Sequence, residues 1–258
     1  MAGDILTGRD GDIATVTLAN PGKLNAVDAA MWRQLETAMA ALDGDATLRA
    51  VVVRGDGDAF AAGGDLEEFS AARDTPDKAL AYHHAVGRAL EALAGCRHPT
   101  VALIHGPCVG GGLAIAGACD LRIAGESARF GAPIGKLGFS MYPGEIALLL
   151  SLVGPAVVKE ILLEGRLLTA RHALEKGLIT RVVADAEVDD EARATARRIA
   201  AGAPLVAGWH KQWIARLHDA TPLTPDEQRA SFAFLDTADY REGMAAFHAK
   251  RPPRFTGE

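Results

Sequence analysis

The chain opens on alternation. Residues Ile13-Ala14-Thr15-Val16-Thr17-Leu18 place apolar side chains at every second position, so 4–8 and 12–18 read as two strands joined through an Asp10-Gly11 turn. After the turn signal Asn20-Pro21-Gly22 the period changes. Met31, Leu35, Met39 and Leu42 form one helical stripe, capped at its start by Asp28 and stopped at Gly44. Residues 48–54 are a valine-rich buried strand, and a glycine- and aspartate-rich loop follows over 55–64. Asp65 then caps a short helix through Phe69. Pro76 opens a longer helix to about residue 94, with Leu80, His83, Val86, Leu90 and Leu93 on its stripe. Residues 100–104 are again an apolar strand, followed by a glycine run, Gly110 to Gly112, and a helix of small residues over 113–118.

Beyond this point 121–124 and 128–130 read as short strands. From residue 143 onward helical patterns take over, at 143–152, 155–163, 170–176, 187–201, 204–218, 224–236 and 239–249, interrupted by a strand at 179–183. Strand and helix alternate in the first half and helices dominate the last third, so the pattern predicts an α/β core with a helical C-terminal region. The core is expected over 1–189 and the helical region over 190–258.

Composition narrows the picture. The chain has 258 residues, about half of them apolar at 49%, which suffices for one large core. A net charge of −6 argues against a nucleic-acid surface. Cys96, Cys108 and Cys119 lie in apolar or Gly/Ala surroundings with neither disulfide nor zinc spacing, and are expected as buried thiols. No metal is implied. With no leader-like start and no apolar stretch judged long enough to span a bilayer, a cytoplasmic protein without a membrane partner is expected.

The chemistry is carried by a repeated local pattern. Residues 49–69 and 100–118 both run buried strand, glycine loop, helix start. Glycine permits a sharp turn and leaves no side chain in a ligand's way. The first amides of a helix lack internal partners, and the helix dipole makes that end partially positive. Two such units in one sheet can aim two fixed N–H groups at one oxygen that becomes anionic during reaction, an oxyanion hole.

These two segments, read as AFAAGGD and GPCVGGG with NPGKLNA before and ARFGAP after, resemble the crotonase superfamily, also called the enoyl-CoA hydratase/isomerase family. Leu167-Leu168-Thr169-Ala170, Gly177-Leu178-Ile179 and the stretch from Asp239 to Phe247 extend the likeness over nearly the whole chain. The resemblance implies a spiral of ββα turns with a helical C-terminal trimerisation region, and a homotrimer or a dimer of trimers. It implies an acyl-coenzyme A substrate, with coenzyme A entering only as part of that substrate and no permanently bound cofactor. It places the amides of Gly64 and Gly111 on the thioester carbonyl. Lys23, Ala26, Ala62 and Leu66 fall where the family holds coenzyme A. Asp65, first of all a helix cap, belongs to the same segment. Phe247 and Lys250 fall where a neighbouring subunit often completes the adenine and phosphate site.

Two positions depart from the family pattern. Ala114 and Ile134 stand where family hydratases carry glutamates, and neither residue moves a proton. The resemblance points to Tyr142, which stands where family members of other chemistry place an acidic residue, four positions after Gly138; Glu145 is a further candidate at the start of an apolar helix, where a first-turn carboxylate also suits the helix dipole. His83 reads either as a core histidine with one backbone partner or as a catalytic or acyl-contacting group. Two functions stay open. One is an enzyme processing a thioester enolate by hydration, isomerisation, decarboxylation or thioester hydrolysis with a substitute base. The other is a non-catalytic acyl-coenzyme A-binding protein. Whether Glu145 faces the pocket discriminates between them.

Overall fold

A computed structural model describes residues 3–258. Strands β1 (Asp4–Asp10) and β2 (Ile13–Ala19) form the antiparallel hairpin that the alternation requires, turning at Gly11 with a φ of 61°. Helix α1 (Ala29–Gly44) is capped by Asp28, whose carboxylate accepts from the Met31 amide at 2.8 Å and buries Met31, Trp32, Leu35 and Met39 beneath it. Strand β3 (Ala50–Gly55) pairs in parallel with β2. Helices α2 (Leu66–Ala72) and α3 (Pro76–Gly95) follow, then β4 (Thr100–Ile104), β5 (Pro107–Val109) and α4 (Gly111–Ala118). Next come β6 (Leu121–Gly125), β7 (Arg129–Gly131), α5 (Pro143–Lys159), β8 (Leu168–Thr169), α6 (Ala170–Glu175) and β9 (Arg181–Val183). Helices α7 (Val188–Ala200), α8 (Pro204–Leu217), α9 (Pro225–Ala230) and α10 (Ala238–His248) complete the chain.

Two sheets result. The larger runs β1-β2-β3-β4-β6-β9, parallel from β2 onward, and the smaller runs β5-β7-β8. Each turn of the chain gives a strand to the first sheet, then a short strand or a single bridge to the second, then a helix. Ala61 supplies such a bridge, to Cys108. This is the predicted ββα spiral. Period-2 alternation splits the large sheet's side chains between two cores. Val51, Val53, Ala102 and Ile104 join the core under α1 and α3, while Ala50, Val52, Val101 and Leu103 pack against Val188, Ala192 and Ala196 of α7. A strand buried on both faces reads as an uninterrupted apolar run, which is why 50–53 is Ala-Val-Val-Val. The C-terminal helices from residue 190 begin inside α7, the helix that covers the sheet's second face. All three cysteines are buried.

Several expectations are corrected. Strands β5 and β8 are too short to carry a period, and the glycine run follows β5 rather than β4 directly. Leu80 is 45% exposed, because the buried face of α3 runs through Val86, Ala89, Leu90 and Leu93. Residues 224–236 are not one helix: α9 ends at Ala230 and a 3-10 turn covers Ala233–Asp236. The stretch Pro143–Glu164 is, against expectation, long and apolar enough to cross a membrane by length and composition. Its backbone breaks at Gly154, with a φ of 72° before Pro155, which separates 143–152 from 155–163 as the sequence predicts.

Helix α4 sits close against the bridge segment. A Cβ on Gly112 would lie 2.5 Å from the Ala61 carbonyl oxygen and 2.8 Å from its Cβ. Gly112→Ala therefore forces helix and strand apart, and we expect a loss of about 1–3 kcal/mol. Urea titration should show a lower midpoint with an unchanged slope; an unmoved midpoint would contradict the packing.

Candidate active site

The site grows from the contact between the two glycine loops. Backbone bonds fix it: Phe60 N–H to the His105 carbonyl at 2.8 Å, Ala61 N–H to Pro107 at 3.0 Å and Val109 N–H to Ala61 at 3.0 Å. On the other side Val27 N–H donates to Gly63 at 2.7 Å and Asp65 N–H donates to Val27 at 3.0 Å. Those pairings skip Gly64. Its N–H, and that of Gly111 in the first turn of α4, have no hydrogen-bond acceptor among the described residues. The two glycines are adjacent, since a Cβ on Gly111 would lie 3.7 Å from the Gly64 nitrogen. Neither position has room for a side chain. A Cβ on Gly111 would sit 3.1 Å from Trp32 Cζ2, and one on Gly64 would sit 2.5 Å from Phe69 Cζ. Gly110, with a φ of 50°, makes the turn that points the α4 N-terminus at this place.

Both loops open onto one cavity of about 210 Å³. Trp32, Phe69, Tyr82, Val86, Ile134, Leu137, Phe139 and Met141 give it a mostly apolar wall, and Arg73, His83 and Glu145 are ionisable groups on it. His83 Nδ1 lies 2.9 Å from Glu145 Oε1, with both side chains mostly buried. The imidazole stacks on Tyr142, ring centroids 4.6 Å apart and planes 11° from parallel. Helices α3 and α5 thus each supply one half of a hydrogen-bonded acid/base pair, and the stack fixes its orientation. Tyr82 accepts a hydrogen bond from Trp32 Nε1 at 3.1 Å, and its burial pushes the phenol up to about 12, so it stays protonated.

Of the residues singled out from the sequence, Gly64, Gly111, Ala62, Leu66, His83, Tyr142 and Glu145 line this cavity. Glu145 faces it. His83 is not the expected core histidine with a backbone partner, because its partner is the Glu145 carboxylate. Lys23, Ala26 and Asp65 stand beside the cavity wall and do not line it. Lys23 Nζ is held at 2.7 Å by both Asp65 and Glu67, and those hydrogen bonds raise its pKa further. Asp65 does cap α2, accepting from the Glu67 amide at 3.1 Å. Phe247 and Lys250 are exposed on the C-terminal helical region. Ala114 is buried within α4, and Ile134 presents a hydrocarbon wall.

The sequence did not single out Trp32, Phe69, Arg73, Tyr82 or Phe139 as site residues. Trp32 lies next to the Met31 stripe of α1 and is buried, so in the sequence it reads as a packing residue. Arg73 ends a helix of seven residues, where no period exists to place it and an arginine is ordinarily solvated.

Comparison with known proteins places the fold and the sequence in a family. The enoyl-CoA hydratase/isomerase family profile matches residues 8–258. A Rhizobium meliloti protein named "Probable enoyl-CoA hydratase" is 36% identical over 253 residues, 97% of each chain. A Mycobacterium bovis protein of the same description is 34% identical over 255 residues, 98% of this chain and 97% of its own. The crystal structure of an enoyl-CoA hydratase/carnithine racemase from Magnetospirillum magneticum superposes with a TM-score of 0.97 at 47% identity, covering 98% of this chain and 96% of that one. With the profile spanning nearly all of the sequence and the spiral fold shared, this chain belongs to the enoyl-CoA hydratase/isomerase family, within the crotonase superfamily.

Proposed function

We propose that this protein processes an acyl-coenzyme A thioester through its enolate, with the His83–Glu145 pair moving the proton. The carrying observation is that this pair and the two unpartnered glycine amides line the same cavity. The thioester carbonyl oxygen takes the N–H groups of Gly64 and Gly111. Charge that develops on that oxygen meets fixed donors in an apolar surround, where no solvent has to reorganise. Losing one such donor typically costs on the order of 10²–10³ in rate. Glu145 accepts from His83 Nδ1–H and so holds the imidazole in one tautomer, leaving the Nε2 lone pair as the base. Tyr142 keeps the ring plane in place by stacking.

One base suits one kind of step. Double-bond migration needs a proton taken from the carbon next to the thioester, its electron pair moving onto the carbonyl oxygen. The same proton then returns at the far end of the conjugated system as the carbonyl reforms. A single histidine completes both halves. Ile134 gives the wall a hydrocarbon surface with no group to hold a water, which disfavours water as a reactant. Isomerisation of an enoyl thioester is therefore the reading we favour over hydration. Lys23 reaches a coenzyme A phosphate only by releasing Asp65 or Glu67, and Phe247 and Lys250 remain available to the coenzyme A of a neighbouring copy. A second reading, binding without turnover, draws on Ala114 and Ile134 alone.

Incubation with 3-enoyl- and 2-enoyl-coenzyme A, followed by mass spectrometry and proton exchange in deuterated water, separates these readings. We expect deuterium incorporation and double-bond migration; tight ester binding with neither would favour the carrier. His83→Gln and Glu145→Gln should each lower turnover by about 10²–10⁴, as expected for a positioned acid/base group. Because the two act as one unit, the double variant should lose little more than either single one. Additive losses would show two independent groups.

A further inference from the structure

Arg73 is a cation in the cavity that the chemistry above does not use. Its guanidinium carbon lies 4.2 Å from the Phe69 ring centroid, 4.9 Å from that of Phe139 and 5.8 Å from that of Tyr82. Ring faces attract the cation without using its N–H donors, which stay available in the guanidinium plane. No carboxylate pairs with Arg73 among the described residues, and the acids nearby are committed elsewhere. Asp74 holds Lys78 at 2.8 Å, Glu68 accepts from the Ala29 amide at 2.7 Å, and Glu145 holds His83. A guanidinium half-withdrawn from water with its donors unspent favours an anion, and its planar fork matches a carboxylate.

We propose that Arg73 reads a second carboxylate at the far end of the acyl group, so that the substrate is a short dicarboxylic acyl-coenzyme A. The inference rests on the acyl-coenzyme A reading and specifies it. Position sets the length. Phe69 packs beside Gly64, where an added Cβ would meet its Cζ at 2.5 Å, and carries Arg73 over its ring at 4.2 Å, so one aromatic ring stands between the proposed carbonyl position and the guanidinium. With carbon–carbon bonds near 1.5 Å, that gap fits a chain of about four to six carbons. Charge sets the kind. The aromatic group already holds its own cation, which repels an acyl group ending in a quaternary ammonium. Pairing also stabilises the carboxylate as an anion and opposes its loss as carbon dioxide, so the distal acid is retained through the reaction.

Calorimetric titration with two unreactive esters, butyryl- and glutaryl-coenzyme A, tests this on the intact protein. The wild type should bind the glutaryl ester about tenfold or more tightly than the butyryl ester, the usual scale of a charge-assisted hydrogen bond. The preference should shrink with added salt. In Arg73→Gln the ratio should fall to near one, while Arg73→Lys keeps part of it. Equal binding of both esters by the wild type, or a preference that survives Arg73→Gln, overturns the inference and leaves the thioester reading intact. Equal weakening of both esters in Arg73→Gln also overturns it, by assigning the guanidinium to a coenzyme A phosphate. Binding of neither ester removes the thioester reading and this inference with it.

Discussion

The register between the 59–65 segment and β5 is the constraint on which the site depends. Three main-chain hydrogen bonds tie Phe60, Ala61 and Val109 across that seam, and two more tie Val27 to Gly63 and Asp65. Once they form, Gly64 has no partner left and lies against the first turn of α4. The two free amides are thus a product of pairing elsewhere in the fold. The glycines follow from the same closeness. Trp32 fills the space beneath Gly111, Phe69 the space at Gly64, and the Ala61 carbonyl the space at Gly112. A side chain at Gly112 would push the seam apart, and one at Gly64 or Gly111 would have to displace Phe69 or Trp32.

Around this rigid pair the cavity wall is mostly hydrocarbon and aromatic, and its few charges are individually held. The Glu145–His83 pair is oriented by a hydrogen bond and a ring stack, Arg73 by three rings. Low local polarity strengthens each of these interactions and raises the cost of leaving one unmade. The His83–Glu145 pair comes from α3 and α5, whereas the two free amides come from the loop before α2 and the first turn of α4.

Legibility in the sequence followed the same division. Strands buried on both faces, the Asp28 cap, the Asp10-Gly11 turn and the Gly154-Pro155 break are local signals, and each is found where the residues place it. The glycine loops were readable because strand, glycine and helix start follow one another within single short stretches of chain, 49–69 and 100–118. Strands β5 and β8 were not, because three and two residues cannot show a period. His83 shows the limit most clearly. Its place on an apolar helical stripe is compatible with a core residue or a site residue, and only its distance to Glu145, 62 positions away, decides. Arg73 is illegible for a related reason: cation–ring contacts depend on tertiary placement and leave no spacing in the sequence.

Positions 114 and 134 gain meaning from this arrangement. Ala114 is buried and packs into the main core cluster. Ile134 remains on the cavity wall and gives it an apolar surface where the family resemblance leads one to expect a carboxylate. Replacing an acid by a hydrocarbon does more than delete a proton donor. It removes a ligand that would hold a reactant water, and it lowers the polarity around the oxygen that the glycine amides meet. A less polar surround also strengthens the interaction of fixed N–H donors with a negatively charged oxygen. An apolar wall at Ile134 and two free glycine amides are therefore physically compatible within one cavity.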